Sequence, residues 1–356
     1  MPTALVTGSY GLVGSCISTC LHDKSWSVIG VDCDARSTLF SDVNALTIDD
    51  ISQIYEERSI NTFSIDLSNF EATYALLESI LSSTIIDLVV HCAAQPSHDW
   101  AASNPLRDKQ LNIDATLNIC ECLRLLTPNS LLIHLSTNKV YGDLPNKLPL
   151  KEYDSRFDLP SDHRFFNGID ETLSIDNSLH SLFGVSKASA DLYVQEYSRY
   201  FGIPAVILRG GCLTGPRHRG AKLHGFMNYL IKCCLTSKNY IVNGYKGKQV
   251  RDNLHARDIS YLVELIFLKH HTSPPSYPVT ANIGGGRSNS CSIIELIGLL
   301  TTDFGLQLKY EISDINRIGD HIWYITDNSK LLKIYDWKPN YSLNSIISET
   351  ISFLSA

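Results

Sequence analysis

Two segments of the chain carry side chains that can take part in proton transfer. The segment LLIHLSTNKVYGD has the pattern of a buried strand ending in the hydroxyls of Ser136 and Thr137, and SLFGVSK supplies Lys187. A hydroxyl can orient a substrate oxygen, and an ammonium group can lower the pKa of a neighbouring acid. Phe183 lies four residues before Lys187, on the same face of a predicted helix, and has no ionisable group. Proton transfer at this site therefore requires another acid or base.

Three regularly spaced glycines lie near the N-terminus. Gly8, Gly11 and Gly14 occur in VTGSYGLVGS, between an apolar strand pattern and an apolar helix pattern. Glycine allows a tight turn and close approach to a pyrophosphate, while the N-terminus of the helix offers N–H groups to the phosphates. We therefore predict a dinucleotide-binding loop that also includes Leu12 and Val13.

The second predicted strand, SVIGVD, indicates which dinucleotide binds. It ends in Asp32, where a carboxylate accepts hydrogen bonds from the adenosine ribose and repels a 2′-phosphate. This position favours NAD over NADP, and Arg36 keeps the second cofactor open.

The next two predicted strands end in residues that we expect near the same cofactor. Asp66 and Leu67 follow the third strand, and a helix-capping role for Asp66 is as consistent with the sequence as a ligand role. The small residues Ala93 and Ala94 follow the fourth strand and leave room for a cofactor to pass.

The elements that must position these residues alternate between short apolar runs and amphipathic stretches. This pattern predicts an α/β fold, a Rossmann-type doubly wound parallel sheet with a smaller C-terminal α/β lobe. We assign residues 1–216 to the dinucleotide-binding domain, with a loop insertion at about 143–180. We assign residues 217–356 to the substrate lobe, with part of the chain crossing back to the main domain.

Composition limits the classes of partner and compartment. The chain has 356 residues, a formal net charge of −7 and ten cysteines. The charge argues against nucleic acid and anionic membranes, and the absence of Cys-x-x-Cys pairs indicates neither a zinc site nor a disulfide scaffold. The chain opens with a strand pattern and has no apolar run long enough to cross a membrane. We therefore expect a cytoplasmic enzyme without a bound metal.

Nearly the whole chain resembles the extended short-chain dehydrogenases/reductases that act on nucleotide sugars. The matching segments are TGSYGLVG, VVHCAA, STNKVYGD, LRGGCLTGP, GKQVRDNLHARDIS, NIGGG and RIGDHIWYITDNSKL. Within that superfamily the chain is most similar to the CDP-paratose 2-epimerase group. The resemblance implies NAD as cofactor and a nucleotide sugar, with a CDP-sugar favoured, as substrate.

The resemblance also implies roles for individual residues. Thr137 would orient the substrate oxygen, Lys187 would hold the nicotinamide ribose, and Arg251 would bind the diphosphate. Asp252 and His255 would link the lobe to the main domain. Arg317 and Asp320 would border the nucleotide, either in contact with the substrate or as an ion pair that stabilises the lobe. The remaining positions implied to contact the substrate are His98, Asn138 and Cys212.

The sequence departs from this family at Phe183, where these enzymes carry a catalytic tyrosine. Lys139, two residues after Thr137, is one replacement for the base, because a partly desolvated lysine can titrate in the useful range. The sequence leaves three further alternatives open: Tyr141, His180 and His98. For Tyr141 we favour a packing role, and for Cys212 a half-buried filler.

Three functions are compatible with this departure. The first is an epimerase that oxidises a sugar hydroxyl transiently and returns hydride to the opposite face. The second is a 4,6-dehydratase or a reductase, and the third is an inactive NAD-binding sensor.

The resemblance further implies a homodimer or a dimer of dimers built on the helix from Ser186 to Tyr200 and the helix near ATLNICECLRLL.

Overall fold

A seven-stranded sheet forms the centre of the molecule. The computed structural model describes residues 1–34, 48–218, 225–313, 315 and 319–355. The strands of this sheet are β1 (Thr3–Thr7), β2 (Ser27–Asp32), β3 (Asn61–Ser64), β4 (Leu88–His91), β5 (Leu131–Thr137), β8 (Ala205–Gly210) and β12 (Val279–Ile283). The strand order is β12-β8-β5-β4-β1-β2-β3, and every pairing is parallel. The predicted Rossmann-type fold is confirmed.

Helices cover both faces of this sheet. Leu131 and Ile133 of β5 belong to one apolar core, and Leu132 belongs to the other, because successive side chains of a strand point to opposite faces. Near-continuous apolar runs such as LVVH in β4 result from this double burial. The helices are α1 (Leu12–Asp23), α2 (Ile48–Glu57), α3 (Phe70–Leu81), α4 (His98–Ser103), α5 (Pro105–Lys109), α6 (Ala115–Leu126), α7 (Leu182–Phe201), α8 (Phe226–Leu235), α9 (Ala256–Thr272), α10 (Ile293–Phe304), α11 (Ser329–Tyr335) and α12 (Leu343–Ser355).

The remaining strands form small sheets, most of them in the second half of the chain. β11 (Val250–His255) pairs with β9 (Cys212–Thr214), β13 (Ser290–Ser292) and β15 (Trp323–Tyr324). The two other pairs are β10 (Asn239–Asn243) with β14 (Lys309–Ser313), and β6 (Lys151–Glu152) with β7 (Phe157–Asp158). An apolar core that includes residues of α8, α10 and α12 lies in this half. Between these elements the chain returns to the central sheet, where β12 pairs with β8.

The order of the strands indicates where a ligand-binding site lies. The chain runs from β1 outward to β3 and then returns to the other side of β1 with β4. In open parallel sheets, ligands bind beyond the carboxyl ends of the strands where the order reverses. The loops after β1, β4 and β5 therefore meet at one edge. Among the described helices, none is both long enough and apolar enough to span a bilayer.

Candidate active site

The glycine loop after β1 packs so closely on the loop after β4 that side chains do not fit. Gly8 has φ +65°, and a Cβ atom there would lie 2.7 Å from the Ala93 nitrogen. A Cβ on Gly14 would lie 2.1 Å from the Gly8 carbonyl oxygen. Gly11 precedes α1, whose first residues are Leu12 and Val13, so unpaired N–H groups of a helix start point out of this turn. The backbone of this loop, which carries no side chains at Gly8, Gly11 and Gly14, lies where the strand order reverses and fits the pyrophosphate of NAD.

Asp32 lies beside this loop at the end of β2. Its Oδ2 accepts a hydrogen bond from the Tyr10 backbone N–H at 2.9 Å, and its Oδ1 accepts one from Asp34 at 3.0 Å. Burial raises the pKa of this carboxyl, and these backbone hydrogen bonds oppose that shift. The carboxylate is thus held next to the glycine loop, as an adenosine ribose would require. Arg36 lies outside the described residues.

Asp66 and Leu67 have partners of their own within the chain. Asp66 forms an ion pair with Arg107, with Oδ2 and Nη2 2.5 Å apart, and Leu67 is buried. Asn69 caps α3 by accepting a hydrogen bond from the Ala72 N–H at 2.9 Å. The helix cap considered for Asp66 is therefore supplied by Asn69.

A cavity of about 460 Å³ begins at the glycine loop and extends between the central sheet and the second half of the chain. Arg251, Gln249, Tyr240 and Asn243 line it from the second half. The predicted site residues that line it are Gly8, Gly11, Leu12, Val13, Gly14, Ala94, His98, Ser136, Thr137, Asn138, Lys139, Phe183, Lys187, Cys212, Arg251 and Asp320. Asp32, Asp66, Leu67 and Ala93 do not line it, and Arg317 lies outside the described residues.

Lys187 reaches this cavity from α7 and is buried. Its Nζ donates a hydrogen bond to the Leu135 carbonyl oxygen at 2.9 Å. Burial lowers the pKa of the ammonium group from 10.5 to about 8, although the nearby Asp191 carboxylate favours the charged form. The charge of Lys187 therefore lies inside the protein, between β5 and α7.

The two hydroxyls at the end of β5 have different surroundings. The Ser136 hydroxyl donates a hydrogen bond to Asp191 at 2.6 Å, and Asp191 also forms a buried ion pair with Arg209 at 3.0 Å. Thr137 is half-buried, and its Oγ1 accepts a hydrogen bond from the Lys139 backbone N–H at 3.2 Å. The Ser136 hydroxyl already donates its hydrogen bond to Asp191 of α7, so Thr137 is the hydroxyl better placed for a substrate.

Two alternative bases lie outside the cavity. The Tyr141 hydroxyl is fully buried, donates a hydrogen bond to Asn282 at 2.8 Å and accepts one from Arg209 at 3.2 Å. The Nε2 atom of His180 lies 2.7 Å from the Val140 carbonyl oxygen. Neither side chain lines the cavity.

His98, Lys139 and Cys212 do line the cavity. The ring of His98 contacts Phe183 edge to face, with ring centroids 4.9 Å apart. The ammonium group of Lys139 donates a hydrogen bond to the Gly319 carbonyl oxygen at 2.7 Å. Burial raises the pKa of the Cys212 thiol to about 12, which makes it a poor acid or base near neutral pH.

Asp252 and His255, which we expected to link the lobe to the main domain, form hydrogen bonds with backbone groups in the second half of the chain. Asp252 is buried and accepts hydrogen bonds from the backbone N–H groups of Gly286 and Thr326 at 2.9 and 3.1 Å. The Nδ1 atom of His255 accepts a hydrogen bond from the Arg257 N–H at 3.0 Å and so caps α9. These contacts join β11 to neighbouring segments.

Sequence reasoning missed a buried polar network at the end of β4. Gln95 Nε2 donates a hydrogen bond to Asp108 at 2.7 Å, and Asn112 Nδ2 donates to the Ser186 hydroxyl at 3.0 Å. The network ties the loop after β4 to the helix that carries Lys187. Its signal in the sequence is a glutamine directly after small residues, which by itself resembles an ordinary loop residue.

Known proteins share this architecture along the full chain. The profile described as the NAD dependent epimerase/dehydratase family matches residues 4–284. The CDP-paratose 2-epimerase of Salmonella typhi is 27% identical, over 99% of both chains. A dTDP-glucose 4,6-dehydratase of Salmonella typhimurium is 25% identical, over 99% of this chain and 92% of its own.

A solved structure supports the fold. The UDP-glucuronic acid 4-epimerase from Bacillus cereus, in complex with UDP-glucuronic acid and NAD, has a TM-score of 0.76 and 22% identity, over 99% of both chains. The family profile covers most of the chain, and its description agrees with the glycine loop. The expectations of an enzyme and of NAD as its cofactor are thereby confirmed. The chain belongs to the NAD dependent epimerase/dehydratase family.

Proposed function

We propose that the protein epimerises a nucleotide sugar, with a CDP-sugar as substrate, in a reaction like that of CDP-paratose 2-epimerase. The observation that carries the proposal is the single cavity that brings the glycine loop, Thr137, Lys187 and Arg251 together. The similarity to the Salmonella typhi 2-epimerase supports the choice of reaction and of CDP.

The residues divide this work according to their positions. When bound, NAD supplies an acceptor that takes hydride from a sugar carbon and gives it back. The turn at Gly8, Gly11 and Gly14 would hold its pyrophosphate, and Asp32 its adenosine ribose. Thr137 would orient the reacting oxygen, and the Lys187 ammonium would hold the nicotinamide ribose.

The second half of the chain would hold the rest of the substrate. Arg251 on β11 is half-buried and lines the cavity. A guanidinium presents a planar set of donors that matches two anionic oxygens, so we assign it to the diphosphate. Asn138, Cys212 and His98 also line the cavity, and we assign them to the sugar.

A 4,6-dehydratase is the second candidate. Lys139 lines the cavity two residues after Thr137, where the resemblance implies a further acid or base, and a dTDP-glucose 4,6-dehydratase is among the relatives. A dehydratase would release water and leave a keto sugar, whereas an epimerase would return an isomer of equal mass.

The test begins with the purified protein. Acid denaturation should release about one NAD per chain, because both candidate reactions regenerate the cofactor. Incubation with CDP-, dTDP- and UDP-sugars should then give an isomer of unchanged mass from a CDP-sugar. A product lighter by one water would indicate the dehydratase. An empty protein that turns over no sugar would contradict the proposal and favour a sensor.

We also propose a homodimer through α7. Its exposed apolar side chains are Leu182, Val185, Leu192, Tyr193, Tyr200 and Phe201. Their spacing places most of them along one stripe of the helix, and Leu125 of α6 is exposed as well. A reducing, cytoplasmic compartment is supported by the ten cysteines, all of which are free thiols.

A further inference from the structure

We propose that His98 performs the proton transfer for which Phe183 has no group. This assignment rests on the sugar oxidation proposed above and names the residue that makes it possible. His98 is half-buried at the start of α4 and lines the cavity together with Thr137, Phe183 and Lys187. It is thus an imidazole in direct contact with the phenylalanine that replaces the family's tyrosine.

The orientation of the ring is set by the helix that carries Phe183 and Lys187. His98 Nδ1 lies 2.7 Å from the hydroxyl oxygen of Ser181, the N-cap residue of α7. That oxygen also accepts a hydrogen bond from the Gly184 N–H at 3.1 Å and keeps a lone pair for Nδ1–H. With Nδ1 as the donor, Nε2 is the nitrogen that exchanges a proton. The bond to Ser181 persists when the ring becomes an imidazolium, so the ring need not move between the two states.

The backbone of Gly319 packs against the same edge of the ring that faces Ser181. A Cβ atom on Gly319 would lie 2.9 Å from His98 Nδ1, and the Gly319 carbonyl oxygen accepts the hydrogen bond from Lys139. Lys139 and His98 therefore flank the same residue. We assign Lys139 to positioning, because its Nζ donates a hydrogen bond to this carbonyl oxygen beside the His98 ring.

The proposed reaction conserves both protons and electrons within the site. The hydroxyl proton of the substrate would pass to His98 Nε2 as a C=O bond forms, while the electron pair of the C–H bond would leave as hydride for the acceptor that bound NAD would supply. On return, hydride would add to the other face of that carbon, and His98 would give the proton back to the oxygen. No external oxidant or proton donor is consumed.

Several titratable groups share the surroundings of His98. Burial lowers the pKa of His321 well below its usual range, so His321 stays neutral. In the described part of the chain, the other charged or titratable groups that line the cavity or adjoin His98 are Cys92, Asp99, Lys139, Lys187, Cys212, His218, Tyr240, Arg251 and Asp320.

The test compares His98→Gln with His271→Asn, an exposed histidine at the end of α9, on the nucleotide sugar that the wild type turns over. We expect His98→Gln to retain bound NAD and to lose about 100-fold or more in kcat, the usual contribution of a general acid or base. The wild-type rate should fall at acidic pH, because a protonated imidazole cannot accept the substrate proton. The residual rate of His98→Gln should lack that acidic limb.

Two results of this comparison between the variants would contradict the role assigned to His98. A His98→Gln rate within threefold of the wild type would overturn the assignment, and so would an acidic limb that survives in the residual rate. If His98→Gln loses NAD, His98→Asn is measured by the same two criteria. Adding Phe183→Tyr to His98→Gln should recover part of the rate, because a phenol then stands where the family places its base.

A readout without turnover separates this assignment from the proposed function. If the wild type converts no nucleotide sugar, the proposed function fails, and His98 is judged by NMR of histidine labelled with ¹³C in the NAD-loaded protein. The ring signal missing from His98→Gln should shift when CDP-glucose is added. An unshifted signal would overturn the assignment.

Discussion

The Lys187 Nζ atom donates a hydrogen bond to the Leu135 carbonyl oxygen at 2.9 Å. The contact joins α7 to β5 two residues before Thr137, so the lysine and the substrate-facing hydroxyl are positioned by one strand. A single carbonyl partner replaces only part of the hydration that a buried ammonium loses. This incomplete compensation is the reason that burial lowers the pKa of Lys187 to about 8.

The lowered pKa predicts a pH-dependent stability that Lys187→Met removes. Between pH 8 and 10.5 the unfolded chain holds a proton that the folded chain has released, so the free energy of unfolding rises with pH. From pH 7.5 to 9.5 the wild type should gain about 2 kcal/mol relative to Lys187→Met. Urea unfolding at both pH values measures the difference, and the exposed Lys109→Met controls for the loss of one positive charge. Parallel curves for wild type and Lys187→Met would contradict the buried ammonium.

A methyl group at Gly14 should abolish NAD retention. Gly14→Ala places a Cβ 2.1 Å from the Gly8 carbonyl oxygen, which forces the phosphate loop away from α1. The measurement is NAD released per chain after acid denaturation. Gly298→Ala is the matched control, because a Cβ there meets nothing within 4 Å and the residue lies within α10. That control should keep NAD and gain up to about 1 kcal/mol of stability. Equal NAD content in the two variants would refute the role of the loop.

Phe183→Tyr should leave the native reaction no faster than in the wild type. The Phe183 ring is buried against His98, and the proposed proton transfer already has its base. Steady-state kinetics of the single variant give the comparison. A severalfold rise in kcat would show that the site still requires a tyrosine and would argue against His98.

Leu192→Glu should separate the proposed dimer into monomers. Leu192 is 44% exposed on α7, and a glutamate there would bury a charge against the partner's apolar stripe. Leu268→Glu on α9, where the leucine is 52% exposed, is the matched control and should leave the mass unchanged. Light scattering after size-exclusion chromatography gives both masses. An unchanged mass for both variants would place any interface elsewhere.

The sequence by itself determined the central fold and the cofactor end of the site. Parallel strands buried on both faces have continuous apolar runs, and the turn at Gly8 and Gly14 tolerates no side chain. Both constraints act over a few neighbouring residues, so they can be recognised as local patterns. Phe183 was likewise recognisable as a departure, because its spacing from Lys187 is set by one helix.

Only the tertiary structure decided which residue faces Phe183. The sequence left His98, Lys139, Tyr141 and His180 open as candidates, with packing favoured for Tyr141. In the structure Tyr141 is buried against Asn282, and His180 bonds to Val140. His98 lies 85 positions before Phe183, and their contact forms because the loop after β4 folds over the start of α7. Burial and partner choice depend on such long-range packing, which no local spacing encodes.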